Sequence, residues 1–317
     1  MRKDTRVFEA NPQGGGAFGD LPEWDLSDLY ASEDAAELQA DLTWLKQSCI
    51  DFSNDYEGKL ALLNADEMLK AVERYEAIDI IAGRIMSFAG LRYYQLTSDP
   101  KRAKFMSDMQ DKLTEHTTKL VFYGLEFNRL HEEALSKLLS KNAALARYKP
   151  VFDRMRATKP YQLSDEMETF LHDQSVVGAA AWNRLFDETV ANLVFHIDGE
   201  DLPLEAAANK LSEQDRGARE AAAREIARVL RKNTSLFARV HNTLAKEKEI
   251  EDRWRKMPTP QTGRHLSNHV EAEVVEALRN AVVAAYPKLS HRYYALKAKW
   301  LGLETMQVWD RNAPLPI

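Results

Sequence analysis

The chain has 317 residues, 44% hydrophobic and 29% charged, which excludes a disordered polypeptide and is long enough for two domains. A net charge of −6, from 43 basic and 49 acidic residues, argues against nucleic acid or an anionic membrane surface as the main partner. The one cysteine, Cys49, excludes an intramolecular disulfide and a thiolate metal cluster; with no apolar leader core and no long apolar run, the expectation is a soluble cytoplasmic protein.

Residues 1–20 concentrate glycine around Asn11–Gly19 without periodicity and read as a flexible tail, since no strand precedes and no lysine follows to make a phosphate cradle. A helix is predicted over 32–56, capped by Ser32, with Leu38, Leu42, Leu45 and Cys49 on one face. Cys49 at such a position reads as packed, not reactive. A second helix starts at Asp66 and carries Leu69, Val72, Tyr75, Ile78, Ala82, Ile85 and Ala89 at steps of three or four. The next starts at Asp99-Pro100 and keeps Phe105, Met109, Leu113, His116, Leu120, Tyr123, Phe127 and Leu130 on one face for about seven turns. His116, among Leu and Met on that stripe, reads as a packed histidine. Tyr93, Tyr94, Tyr123 and Tyr161 could line a peptide groove, or serve as core aromatics with one wet end.

Helices continue through 131–175, interrupted at Lys149-Pro150 and Lys159-Pro160, with Ser164 capping a run that includes Met167 and Phe170. A further helix covers 175–188. Two short apolar segments joined by Asp198-Gly199 predict a β-hairpin near 192–204, with His196 in its first strand. Two helices follow over 205–251: a short one, then a long one through Ala223, Ile226, Leu230, Phe237, Val240 and Leu244 with a solvated Arg/Glu face. In the last third, Asn268 and Glu271 form a capping-box pattern ahead of Val270, Val274, Leu278, Val282 and Ala285. A second amphipathic run, Leu289, Tyr293, Leu296 and Trp300, is closed by Gly302. Met306–Trp309 alternates apolar and polar residues as a strand would, which places a terminal strand near 305–309. The predicted fold is all-α, mainly long antiparallel helices, with the hairpin and the terminal strand as the only β structure.

Several blocks of this sequence resemble the oligoendopeptidase F family, a branch of the thimet-oligopeptidase-like zinc metallopeptidases. They are Leu21–Tyr30 (LPEWDLSDLY), Ala179–Glu188 (AAAWNRLFDE), Arg264–Asn268 (RHLSN), Tyr286–Glu304 (YPKLSHRYYALKAKWLGLE) and Trp309–Pro316 (WDRNAPLP). The resemblance implies an N-terminal helical domain over 21–190 and the start of the metallopeptidase catalytic domain over 191–317. It also implies short peptides as substrates and zinc as the cofactor of the full-length enzyme. In the family the metal is held by an HExxH helix and a downstream Glu, two His at i and i+4 sharing a face while the Glu activates water.

This chain has no HExxH. The nearest string is His131-Glu132-Glu133-Ala134-Leu135, with Leu135 in place of the second His. His265 and His269 stand four apart, but Leu266 occupies the place of the general base, and the Asn268 cap would put the helix start between them. The expectation is therefore that this chain carries no catalytic residue and no metal ligand of its own, binds no cofactor alone, and stops before the catalytic half. Two functions follow. The chain is either the N-terminal part of a zinc metallo-oligopeptidase, a helical wall of its substrate cleft and inert alone, or a non-catalytic helical module that binds peptides or partners.

Overall fold

The structure is a computed structural model that describes residues 24–316. The glycine-rich stretch Asn11–Gly19 lies outside them. Two compact units are resolved: one reaches Ala181 and includes Ile250–Met257, the other comprises Trp182–Glu249 and Pro258–Ile317.

In the first unit, α1 (Ala36–Tyr56) buries Leu38, Leu42, Leu45, Cys49 and Phe52, the stripe expected from the sequence. Its start differs. Ser32 Oγ donates to Asp34 Oδ1 at 2.6 Å within a local turn, so it caps nothing, and the helix begins without a side-chain cap. α2 (Ala65–Gln95) starts on Asn64, whose side chain accepts from the Asp66 and Glu67 amides while Glu67 reaches back to the Asn64 amide, a complete capping box. α3 (Pro100–Thr117) is capped by Asp99, with proline at its first position.

The uninterrupted helix expected from Asp99 to Leu130 is broken by a 3-10 turn at Thr118–Leu120 before α4 (Val121–Arg129). The cause is two adjacent threonines: Thr117 and Thr118 hydroxyls donate to the carbonyls of Leu113 and Thr114 at 2.8 and 2.7 Å, loosening the helical ladder there. The apolar stripe survives the break, since Leu120, Tyr123 and Phe127 stay buried.

α5 (Glu132–Lys141), α6 (Ala143–Ala146) and α7 (Lys149–Ala157) follow, then α8 (Asp165–Gln174), capped by Ser164 as expected. Phe170 on α8 is exposed, so it is not a core residue of this unit. Phe52 is the aromatic hub, with Tyr56, Tyr75, Phe122 and Tyr123 around it at ring separations of 4.8–5.9 Å. Arg255 joins the same unit: it forks onto Glu168 at 2.6 and 2.9 Å and donates to the Tyr161 carbonyl.

α9 (Ala179–Ala191) leads into the second unit, whose hairpin is β1 (Phe195–Ile197) against β2 (Glu200–Leu202). Asp198 and Gly199 have φ of 55° and 82°, the two positive values that the predicted two-residue turn demands. Phe195 and Ile197 point into a small core with Ala207, Ala222 and Val229 from α10 (Leu204–Asn209) and α11 (Arg216–Lys232). The single long helix expected beyond residue 213 is two: α12 (Thr234–Arg255) begins after Asn233, whose side chain takes the Val229 carbonyl and ends α11.

α13 (Thr262–Asn268), α14 (Ala272–Ala285) and α15 (Ser290–Trp300) complete the helices. Asn268 does not cap α14. It is the last residue of α13, and His269 follows in the left-handed conformation with its amide bonded to Leu266 O and that of Val270 to His265 O. Gly302 (φ 67°) ends α15 as predicted, with Gly302 and Leu303 amides returning to Lys299 and Ala298. The terminal strand is absent among the described residues: Val308–Asp310 forms a 3-10 turn. An alternating pattern needs a partner strand, whereas here Asp310 takes the Gln307 amide at 2.9 Å and curls the segment.

Candidate functional site

The most constrained polar arrangement of the second unit surrounds that 3-10 turn. Asp215 caps α11 by accepting from the Ala218 amide, which sets Arg216 and Arg219 on the first turn and a neighbouring position three residues on. Asp310 is 0% exposed and lies between them: Arg216 forks onto it at 3.0 and 2.9 Å, and Arg219 reaches it at 3.2 Å. The Arg216 bonds, the Gln307 amide and Arg219 together outweigh its burial and hold its carboxyl down to about 2. Arg219, 3% exposed, also donates to the carbonyls of Trp309, Glu213 and Gln214. Arg224 stacks over the Trp309 ring at 5.5 Å.

On the other side of the turn, Lys297 of α15 is buried and donates to the Arg311 carbonyl at 2.8 Å. Ser290, Tyr294, Met306, Gln307 and Arg311 line a shallow depression beside it. Chemically this is a clamp: it offers donors and a rigid backbone, with no nucleophile held against a base. Lys297 and Asp310 fall in the sequence blocks that carry the family resemblance, but no pattern in the sequence assigned Arg216, Arg219, Lys297 or Asp310 a part in a site. Asp310 stands 91 residues from Arg219, and no periodicity links such a pair.

Of the residues of α15 only Lys297 is buried, and the apolar stripe beside it is exposed. Leu289 and Trp300 are 67% and 51% accessible, and Tyr293 and Leu296 are exposed as well. The stripe of α14 is likewise uncovered at Val274, Leu278 and Val282. Periodicity identified these faces correctly as amphipathic but not their neighbours.

The histidines do not converge. His131 is exposed ahead of α5 while Leu135 is buried, so that string presents one donor and a core leucine. His265 lies inside α13 and His269 at its left-handed end, the reverse of the expected placement of a helix start between them; the two belong to a helix terminus. His116 is partly buried, and desolvation lowers its pKa. His196 is exposed on β1 and pairs with Asp201 at 3.0 Å. Among the described residues no group of three or more His, Cys, Asp or Glu side chains could hold a metal ion, so the donor set for zinc does not fit here. Cys49 is buried, which pushes its thiol up to about 11. Tyr93 and Tyr123 are core residues, Tyr161 is partly buried and Tyr94 is exposed. Among the described residues no helix is long and apolar enough to cross a membrane.

The fold resembles part of a solved oligoendopeptidase structure. The crystal structure of oligoendopeptidase-F from Enterococcus faecium superposes with a TM-score of 0.78 at 21% identity, over 88% of this chain and 56% of that one. In sequence, the family model described as oligopeptidase F matches residues 126–195. An oligoendopeptidase F homolog of Lactococcus lactis is 24% identical over 92% of this chain and 49% of its own length. The group B oligopeptidase PepB of Streptococcus agalactiae is 24% identical with the same coverage, 92% and 49%. The chain resembles the oligoendopeptidase F family in sequence and in fold, as its sequence blocks imply. It spans about half the length of these curated relatives.

Proposed function

We propose that this chain is the N-terminal, helical part of an oligoendopeptidase F-type zinc peptidase that hydrolyses internal bonds of short peptides in the cytoplasm. The observation that carries this reading is the combination of a resemblance over 92% of the chain with the lack of any HExxH in its 317 residues. In this reading the chain supplies a helical wall of the peptide cleft. The zinc ligands, the base and the groups that stabilise the oxyanion are supplied by residues outside this sequence. The clamp on Asp310 then serves to hold the segment 307–313 in one conformation. The buried thiol of Cys49 suits a reducing compartment.

Alone, the chain hydrolyses no peptide. The test is cleavage of an internally quenched fluorogenic oligopeptide by the purified chain with added zinc and with a chelator. No turnover in either condition is expected; chelator-sensitive turnover overturns the assignment of the catalytic residues. The second reading is a non-catalytic interaction module; a module should cover its apolar faces, so the exposed faces of α14 and α15 favour the first reading over it. Cell extracts separate the two: chelator-sensitive cleavage that co-purifies with this chain favours the peptidase, and co-purification without cleavage favours the module.

A further inference from the structure

In the first unit every helix from α1 to α7 buries at least one side chain, whereas α8 buries none. Met167 and Leu171 on α8 are partly buried and Phe170 is exposed. What holds this helix is polar and sits at its two ends. At its start, Glu168 takes the Leu163 amide at 2.8 Å together with the Arg255 fork, and Asp165 pairs with Arg129. At its end, His172 and Asp173 meet Thr117 and Thr118, the two threonines of the α3–α4 break. The Thr117 hydroxyl proton is on the Leu113 carbonyl, so its oxygen accepts from His172 Nε2–H at 3.1 Å. Thr118 has one hydroxyl proton and two acceptors, the Thr114 carbonyl and Asp173 Oδ1, so its bond to α8 competes with its bond inside α3.

These holds are unequal. The Arg129–Asp165 pair is half-exposed on both sides, so water replaces it at little cost. Thr118 satisfies its hydroxyl on Thr114 without α8. Arg255 and Glu168 are 17% and 14% exposed, and their fork is charge-assisted, which makes it the strongest hold. A ten-residue helix does not persist unsupported in water, so α8 is helical only while it is docked. We propose that α8 is a detachable strap: it undocks and unfolds as one piece while α1–α7 stay folded, with the Arg255–Glu168 fork as its latch, and its release frees Thr117 and Thr118 at the α3–α4 break. Opening forfeits polar bonds that water replaces in part and little of the apolar burial that holds the other helices together. The strap stands or falls separately from the peptidase reading, since neither its release nor its readout involves catalysis.

The experiment is native-state hydrogen exchange of the whole chain, read by mass spectrometry at residues 165–174 and at α2, over urea concentrations below the unfolding transition. Residues 165–174 are expected to exchange at least about a hundredfold slower than an unstructured peptide but at least about tenfold faster than the amides of α2. Their rate is expected to be nearly independent of urea, because the opening exposes little surface, whereas the α2 rate climbs with urea. Without urea, Arg255→Ala is expected to speed exchange at 165–174 about thirtyfold, Arg255→Lys, which keeps the charge and loses the fork, by less, and Asp165→Asn by no more than about twofold. Exchange at 165–174 that follows the urea dependence of α2 means that α8 opens only with the whole unit and overturns the proposal; that readout uses the unmodified chain and needs no variant to fold. An Arg255→Ala rate equal to that of the unmodified chain, or an Asp165→Asn effect as large as that of Arg255→Ala, overturns the assignment of the latch.

Discussion

Replacing Asp310 by alanine tests the clamp directly. Four bonds are lost: two from Arg216, one from Arg219 and one from the Gln307 amide. They do not count equally. Arg216 is 44% exposed, so water replaces its partner at little cost. Arg219 is buried, yet it keeps three carbonyl acceptors, at Trp309, Glu213 and Gln214, which limits the penalty of leaving its charge uncompensated. With the Gln307 amide left unsatisfied, the expected loss is about 3 kcal/mol, the low end for breaking a buried pair. Linkage gives a second estimate. A carboxyl depressed from 3.8 to about 2 contributes stability that is fully present above pH 3.8 and is lost as pH falls through 2, amounting to about 2 kcal/mol. The mutational figure is larger because truncation also strands a cation, whereas acidification leaves a neutral carboxyl that still accepts.

The assay is urea unfolding followed by circular dichroism, with hydrogen exchange at residues 307–313 as the local readout. Asp310→Ala should lower stability by about 3 kcal/mol and speed exchange in that segment. The double variant Asp310→Leu/Arg219→Met should lose less than the single one, because it removes the stranded charge. A change below about 0.5 kcal/mol in the single variant, or a double variant no better than the single, refutes the account.

Other outcomes follow from single features. Arg255→Ala should cost about 2 kcal/mol by removing the fork on Glu168, a partly buried pair. Burial pushes the Glu168 carboxyl up, but the Arg255 bonds and the Leu163 amide leave it net lowered, so the contribution is present at neutral pH and lost on acidification below the ordinary carboxylate range; wild type and variant should converge there. Gly302→Ala should cost about 1 kcal/mol by thermal or urea unfolding; no atom lies within 4 Å of the added Cβ, so the cost is that of the left-handed φ of 67° alone. The Cys49 thiol, buried and raised to about 11, should react with a disulfide reagent only as the first unit unfolds, with the same urea midpoint as circular dichroism. Fast labelling in native buffer would contradict that burial.

The sequence by itself determined whatever depends on short-range pattern. The apolar stripe of α1, the proline start of α3, the Ser164 cap, the Asp198-Gly199 turn and the Gly302 stop are all set by residues within a few positions of one another, where backbone sterics and local hydrogen bonds decide. The family blocks were legible for a similar reason, each being a contiguous string. Local pattern misled where side chains competed with the backbone: Thr117 and Thr118 broke a helix whose apolar stripe runs on unbroken, Asn233 split another, and Asn268 ended a helix it was expected to start. Tertiary structure alone decided the rest. It replaced the strand expected near 305–309 by a 3-10 turn at Val308–Asp310, because Asp310 finds its partners on α11, 91 and 94 residues away in sequence. It also buried Lys297 of α15 while leaving the apolar stripe beside it exposed: hydrophobic periodicity states which residues share a face, and only the packing of neighbours decides which of them are covered.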